Sequence, residues 1–190
     1  MDWLGLDQAA TLWINHHHCL ALDAVLLPVS YFGERGAGWL LIAVLMLIFG
    51  GRRERLTTLA FLVVLGATEF LLMPLIREAL PRPRPYMYLP DVRQLGVRWA
   101  GTSFPSAHAY LWVYAALFYG AIFRRWRWPL WVGTALTLYA RPYCGMHHVS
   151  DVLAGALLGL ALGLPALALV RKWGWLEKER QAEPLRPDKH

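Results

Sequence analysis

Apolar residues gather in five runs, 36–51, 56–76, 106–123, 128–140 and 149–170, separated by charged or proline-rich breaks. Three of the runs reach 18 residues or more, enough at about 1.5 Å per residue to cross roughly 30 Å of hydrocarbon. The run at 36–51 is marginal, and the one at 128–140 completes a span only with its flank from Tyr139 to Met146. The pattern predicts five transmembrane helices. Ahead of them, residues 3–33 mix apolar positions with Asp7, Gln8, Asn15, His16, His17, His18 and Asp23. That mixture suits helices lying in the membrane interface better than a sixth span. The expected fold class is therefore an all-α integral membrane protein: a bundle of about five transmembrane helices, six possible, with N-terminal interfacial helices.

Composition supports a membrane core. Of 190 residues 57% are hydrophobic and ten are Trp, well above the globular average. The length suits one domain, 1–175, with interfacial helices over 1–35 and the bundle over 36–170. A charged, proline-containing stretch at 176–190 reads as a flexible cytoplasmic tail. No basic residues precede an apolar core at the start, so no secretory signal is expected.

Charge sets an orientation. Arg52, Arg53 and Arg55 follow the first span, Arg124, Arg125 and Arg127 the third, and Arg171 and Lys172 the fifth. With five spans these clusters share one face, which the positive-inside rule makes cytoplasmic. Trp126, Trp128, Trp173 and Trp175 fit its aromatic belt. The loops 77–105 and 141–148 then lie on the exoplasmic face, with Arg77, Arg82, Arg84, Arg93, Arg98 and Arg141 as an exception that phosphate binding would explain.

Three strings at that edge carry candidate chemistry. His147 and Asp151 are four apart at the start of the last helix, on one face. The carboxylate can accept from one ring nitrogen and leave the other free as a nucleophile; a structural hydrogen bond is the plainer reading. In Pro105-Ser106-Ala107-His108, Ser106 is a good N-cap. The free N–H groups of that helix start would suit an anion, and His108 a general acid. A merely capped helix would look the same. Arg77 and Arg84 flank Pro81, Pro83 and Pro85, which forbid a continuous helix and hold the arginines on a stiff, extended segment. Guanidinium groups suit bidentate phosphate capture, or contact with lipid head groups.

Together, the strings resemble the three motifs of the type-2 phosphatidic acid phosphatase family of membrane lipid phosphatases. Arg77, six residues, Arg84-Pro85 corresponds to the family's Lys, six residues, Arg-Pro. Pro105-Ser106-Ala107-His108 corresponds to Pro-Ser-Gly-His. Ala140-Arg141, five residues, His147, three residues, Asp151 corresponds to Ser-Arg, five residues, His, three residues, Asp. Arg77, Ala107 and Ala140 depart from the family's usual residues without removing a group the chemistry needs.

The resemblance implies a two-step hydrolysis with no metal and no other cofactor. His147 would be the nucleophile, Asp151 its acceptor, and His108 the acid and then the base. Arg77, Arg84, Ser106, Ala107 and Arg141 would hold the phosphate. The expected partners are the bilayer and a membrane lipid phosphate: undecaprenyl diphosphate, phosphatidylglycerophosphate, phosphatidate or a lipid A phosphate. Nucleic acid is not an expected partner. The expected place is a bacterial inner membrane, with the site on the periplasmic side. A phosphotransferase with a lipid acceptor, a vanadate-dependent haloperoxidase sharing the motifs, and a non-catalytic lipid-binding protein remain alternatives.

Other residues carry weaker signals. Glu69, eight before Arg77, is expected to face the bundle interior, since lipid exposure of a carboxylate is costly. His16, His17 and His18 read as interfacial polar residues, because three consecutive histidines cannot all face one ion from a helix. His148 is expected to be structural, and Cys19 and Cys144 to remain unpaired. The loop 86–104, with Tyr86, Tyr88, Arg93, Arg98 and Trp99, is the expected place for head-group selection.

Overall fold

The computed structural model describes residues 3–32 and 36–173, and every regular element among them is helical. In chain order the α-helices are α1 (Trp3–His16), α2 (Leu20–Phe32), α3 (Ala37–Phe49), α4 (Arg52–Ala67), α5 (Met73–Ala79), α6 (Pro85–Tyr88), α7 (Ala107–Ile122), α8 (Arg127–Tyr143) and α9 (Val149–Lys172). The tail expected at 176–190, and Trp175 of the expected aromatic belt, lie outside the described residues.

A π-helical turn, Thr68–Leu72, joins α4 to α5, so that Arg52–Ala79 forms one apolar rod of 28 residues. Pro74 explains the widening: it has no N–H to give Phe70, and its ring would clash with that carbonyl in a regular helix. The rod and the 24-residue α9 are each long and apolar enough to cross a bilayer. Helices α2 and α3 meet that test only as a pair, bent by 56°. With 16 and 17 residues, α7 and α8 cover about 24 to 26 Å, short of a roughly 30 Å core. By length and composition, the five expected spans comprise two full-length helices, one half of a bent pair and two shorter helices. Segment 3–33 divides, because α2 is apolar enough to join α3.

Helix α7 is the centre of the bundle, packed by α9, α8 and α4. Aromatic rings fill the space around it, with Trp39 edge-on to Trp112 at 5.0 Å and Phe61 stacked on Tyr114 at 4.8 Å. The seam with α9 is closed by Gly155, Gly159 and Gly163, spaced four apart. A Cβ on Gly155 would stand 2.4 Å from the Ser106 carbonyl oxygen, and one on Gly159 2.6 Å from that of Tyr110. Small residues here let the two backbones touch. On its opposite face α9 exposes Leu153, Leu157 and Leu164, as the rod exposes Val63, Phe70, Leu71 and Leu75. So extensive an apolar exterior suits lipid and not water.

Candidate active site

The residues of the three strings converge at one end of the bundle, each held by local backbone chemistry. Arg77 occupies the last turn of α5. The prolines after it break the helix, and Arg84 is extended (φ −74°, ψ 151°). Segment 81–84 is pinned to 102–103: the Arg82 amide donates to Thr102 Oγ1 (2.8 Å), and the Ser103 amide to the Arg82 carbonyl (2.7 Å). Only Arg84 therefore sits on the stiff extended stretch expected for both arginines, because helix geometry persists through Ala79.

Ser106 caps α7, its Oγ accepting from the Ala109 amide (3.4 Å), while its own amide donates to the Asp151 carbonyl (3.0 Å). One turn in, the His108 Nε2 is buried and has no hydrogen-bond partner among the described residues. Helix α8 ends on Gly145, at φ +71°. The Gly145 amide reaches back to Pro142 O (2.9 Å) and that of Met146 to Arg141 O (3.1 Å), a Schellman closure that a glycine makes without strain. This turn delivers His147 to the site. Arg141, nearly fully buried on the last turn of α8, donates to Ser30 Oγ of α2 (2.6 Å).

His147 is held in one tautomer. Its Nδ1 donates to the Ser103 carbonyl (2.8 Å), while Nε2 lies 3.2 Å from the Arg84 guanidinium, which can only donate. The Nε2 lone pair therefore faces the cations. Burial, followed by the charges of Arg141 and Arg84 and the nearby His108, pushes this imidazole well below its ordinary pKa, so it is neutral at pH 7. Burial outweighs the other influences on Arg84 and lowers it from its usual value, a cost that a bound anion would relieve.

The expected direct bond from Asp151 to His147 is absent: Oδ2 stands 3.9 Å from Nδ1, and the backbone carbonyl of Ser103 takes its place. Asp151 instead accepts from the His148 amide (2.8 Å) and ring (3.1 Å), the Ser103 hydroxyl and Arg82 (2.7 Å). It reaches His147 through Ser103. Arg82 continues the chain to Asp7 of α1 (2.6 Å), which also binds the amide and hydroxyl of Ser150. Burial would weaken Arg82, but hydrogen bonding to Asp7 and the charges of Asp151 and Asp7 outweigh it and raise its pKa.

Arg77, Arg84, Ala107, His108, Arg141 and His147 line one cavity of about 690 Å³; Ser106 and Asp151 stand behind its wall. Arg82 and Ser103 were not singled out from the strings. Arg82-Pro83 repeats Arg84-Pro85 and could have flagged a second anchored arginine, whereas Ser103 carries no signal of its own.

Of the loop expected to select head groups, Trp99 lines the cavity. Tyr86 bonds Trp99 O, Tyr88 bonds His148, Arg93 pairs with Asp23 and Arg98 bonds Gln94, so these four shape the loop itself. His17 and His18 turn back onto the Trp13 and Asn15 carbonyls at the end of α1, and His16 reaches Asp91 O. Cys19 and Cys144 are free thiols.

A neutral imidazole facing guanidinium groups at the rim of a lipid-facing bundle is an arrangement suited to phosphoryl transfer at a membrane surface. Residues 57–175 match the model of the PAP2 superfamily, and the chain belongs to it. It is 29% identical over 157 residues to an undecaprenyl-diphosphatase of Sulfolobus acidocaldarius, covering 82% of this chain and 74% of that one. It is 35% identical over 139 residues to a decaprenylphosphoryl-5-phosphoribose phosphatase of Mycobacterium tuberculosis, covering 71% and 73%. Its fold is similar to that of the transmembrane PAP2-type phosphatidylglycerolphosphate phosphatase of Bacillus subtilis, with TM-score 0.66, 23% identity and coverage of 96% and 89%.

Proposed function

We propose that the protein removes phosphate from a monoester or diphosphate of a membrane lipid through a phosphohistidine. The observation that carries this reading is the His147 tautomer, with Nδ1 committed to Ser103 O and Nε2 turned to Arg84. His147 Nε2 attacks phosphorus in line, forming the N–P bond as the P–O bond to the lipid breaks, and His108 gives its proton to the leaving oxygen. Water then attacks the phosphohistidine with His108 as base, breaking the N–P bond and freeing phosphate. Arg77, Arg84, Arg141 and the first amides of α7 hold the equatorial oxygens, where transition-state charge lies.

The relatives' names support a lipid phosphate of the same kind, such as a polyprenyl diphosphate, a polyprenyl phosphosugar or a phosphatidylglycerol phosphate. Arginine clusters after the first, third and fifth apolar runs support a site on the exoplasmic side of a bacterial inner membrane. Phosphate release from these lipids by purified wild type and His147→Ala tests the reading. A loss of at least a thousandfold in the variant is expected; equal rates would sink it. Acid-labile ³²P retained on the protein from labelled lipid would mark the intermediate.

A further inference from the structure

The cavity follows the rod from Leu62 to Arg77, fifteen positions, or about 22 Å of helix. Its polar end holds Arg77, Arg84, Arg141, His108 and His147; its other end is apolar, with Leu40, Leu62 and Leu65. Glu69 lies midway. The π-turn sets the register that turns this carboxylate onto the cavity, and π-turns recur at functional sites.

Glu69 is not spoken for by the cations. Its Oε1 accepts from the buried Tyr110 hydroxyl, and among the described residues no cation lies within ion-pairing distance. Among the described residues, Tyr110 is the one hydrogen-bond donor to this carboxylate. A carboxylate kept in a membrane span, oriented by one buried hydroxyl and otherwise open to a substrate cavity, is costly unless it meets a ligand. Eight positions from Arg77, about 12 Å along the helix, it lines the stretch of cavity between the cationic end and the apolar end.

We propose that Glu69 is a specificity residue that reads the leaving group, favouring an alcohol with a free hydroxyl (a sugar or a glycerol) and disfavouring a second phosphate joined directly to the scissile one. An ionised carboxylate is acceptor-only, so a hydroxyl satisfies it. A second phosphate joined directly to the scissile one would set acceptor oxygens of like charge against the carboxylate. This assignment rests on the phosphatase reading above and names the substrate class within it.

The test is kcat/KM for phosphate release from undecaprenyl diphosphate, phosphatidylglycerophosphate and a polyprenyl phosphosugar monophosphate. The last two distinguish glycerol from sugar. Glu69→Gln keeps an acceptor but loses the charge, and should raise the diphosphate rate about tenfold relative to the other two. Glu69→Leu in a Tyr110→Phe background loses the acceptor without stranding the phenol, and should cut the preference for hydroxyl-bearing substrates at least tenfold. Both readouts are ratios between substrates, so they do not depend on the fraction of protein that folds. Unchanged ratios with an active wild type overturn the assignment alone. Hydrolysis of none of the three by wild type overturns the phosphatase reading with it.

Discussion

Four donors converge on the Asp151 carboxylate, and only Arg82 among them is a permanent cation. Removing that cation strands a buried charge, which typically costs about 3–5 kcal/mol. Arg82→Leu should therefore lower the melting temperature in detergent and cut kcat ten- to a hundredfold, because Ser103 loses its fixed acceptor. Asp7→Asn keeps an oxygen for Ser150 and should be milder, at about 1 kcal/mol. Protonation of His147 gives a second test at this scale. Its pKa is depressed in the folded protein, so the folded state refuses a proton that the unfolded chain accepts below about pH 6.5. Stability is full above that pH and declines as pH falls below it. The acidic limb of kcat/KM should likewise lie below pH 6.5, and Arg84→Gln, which removes one nearby charge, should move it upward.

The contact between α7 and α9 turns on side-chain size more than on polarity. Gly155→Ala would place a methyl group against the Ser106 carbonyl, where relief requires the helices to separate; overpacking of this kind costs about 1–3 kcal/mol. Because Ser106 N also bonds the Asp151 carbonyl, activity should fall with the melting temperature, whereas Leu157→Ala on the lipid face should change neither by much. The same helices show how far the sequence could be read. The apolar runs and the spacing from Arg77 to Asp151 pointed to helices and to the six residues that line the cavity. Helix faces were not legible, since α9 is apolar all round: Leu167 and Val170 are buried beside the glycines while Leu157 and Leu164 face out. The relay from Asp151 through Ser103 was hidden for another reason: its link to the imidazole is a main-chain carbonyl, which every residue possesses. The π-turn was open to inference from Pro74, but the reach of Glu69 into the cavity depends on tertiary packing.

Across the whole molecule, orientation can be checked with the protein's own thiols. Cys19 is exposed and Cys144 buried, and Cys19 lies on the side of the site, its carbonyl accepting from Tyr143. An impermeant maleimide added outside intact cells should label Cys19, and should fail to label Arg125→Cys in a Cys19→Ser background; the opposite pattern would overturn the proposed orientation. At this scale α1 belongs to the site as much as the bundle does. Asp7, Thr11 and Asn15 bind Ser150, Val149 and Tyr143, and Asp7 meets Ser150 across 143 positions of sequence. These hydrogen bonds tie α1 to α8 and α9, far along the chain, so they close only once those helices are in place. On the proposed reading, the Asp7–Arg82–Asp151 chain is complete only in the assembled bundle, so phosphate release is expected to appear only after α9 has packed against α1.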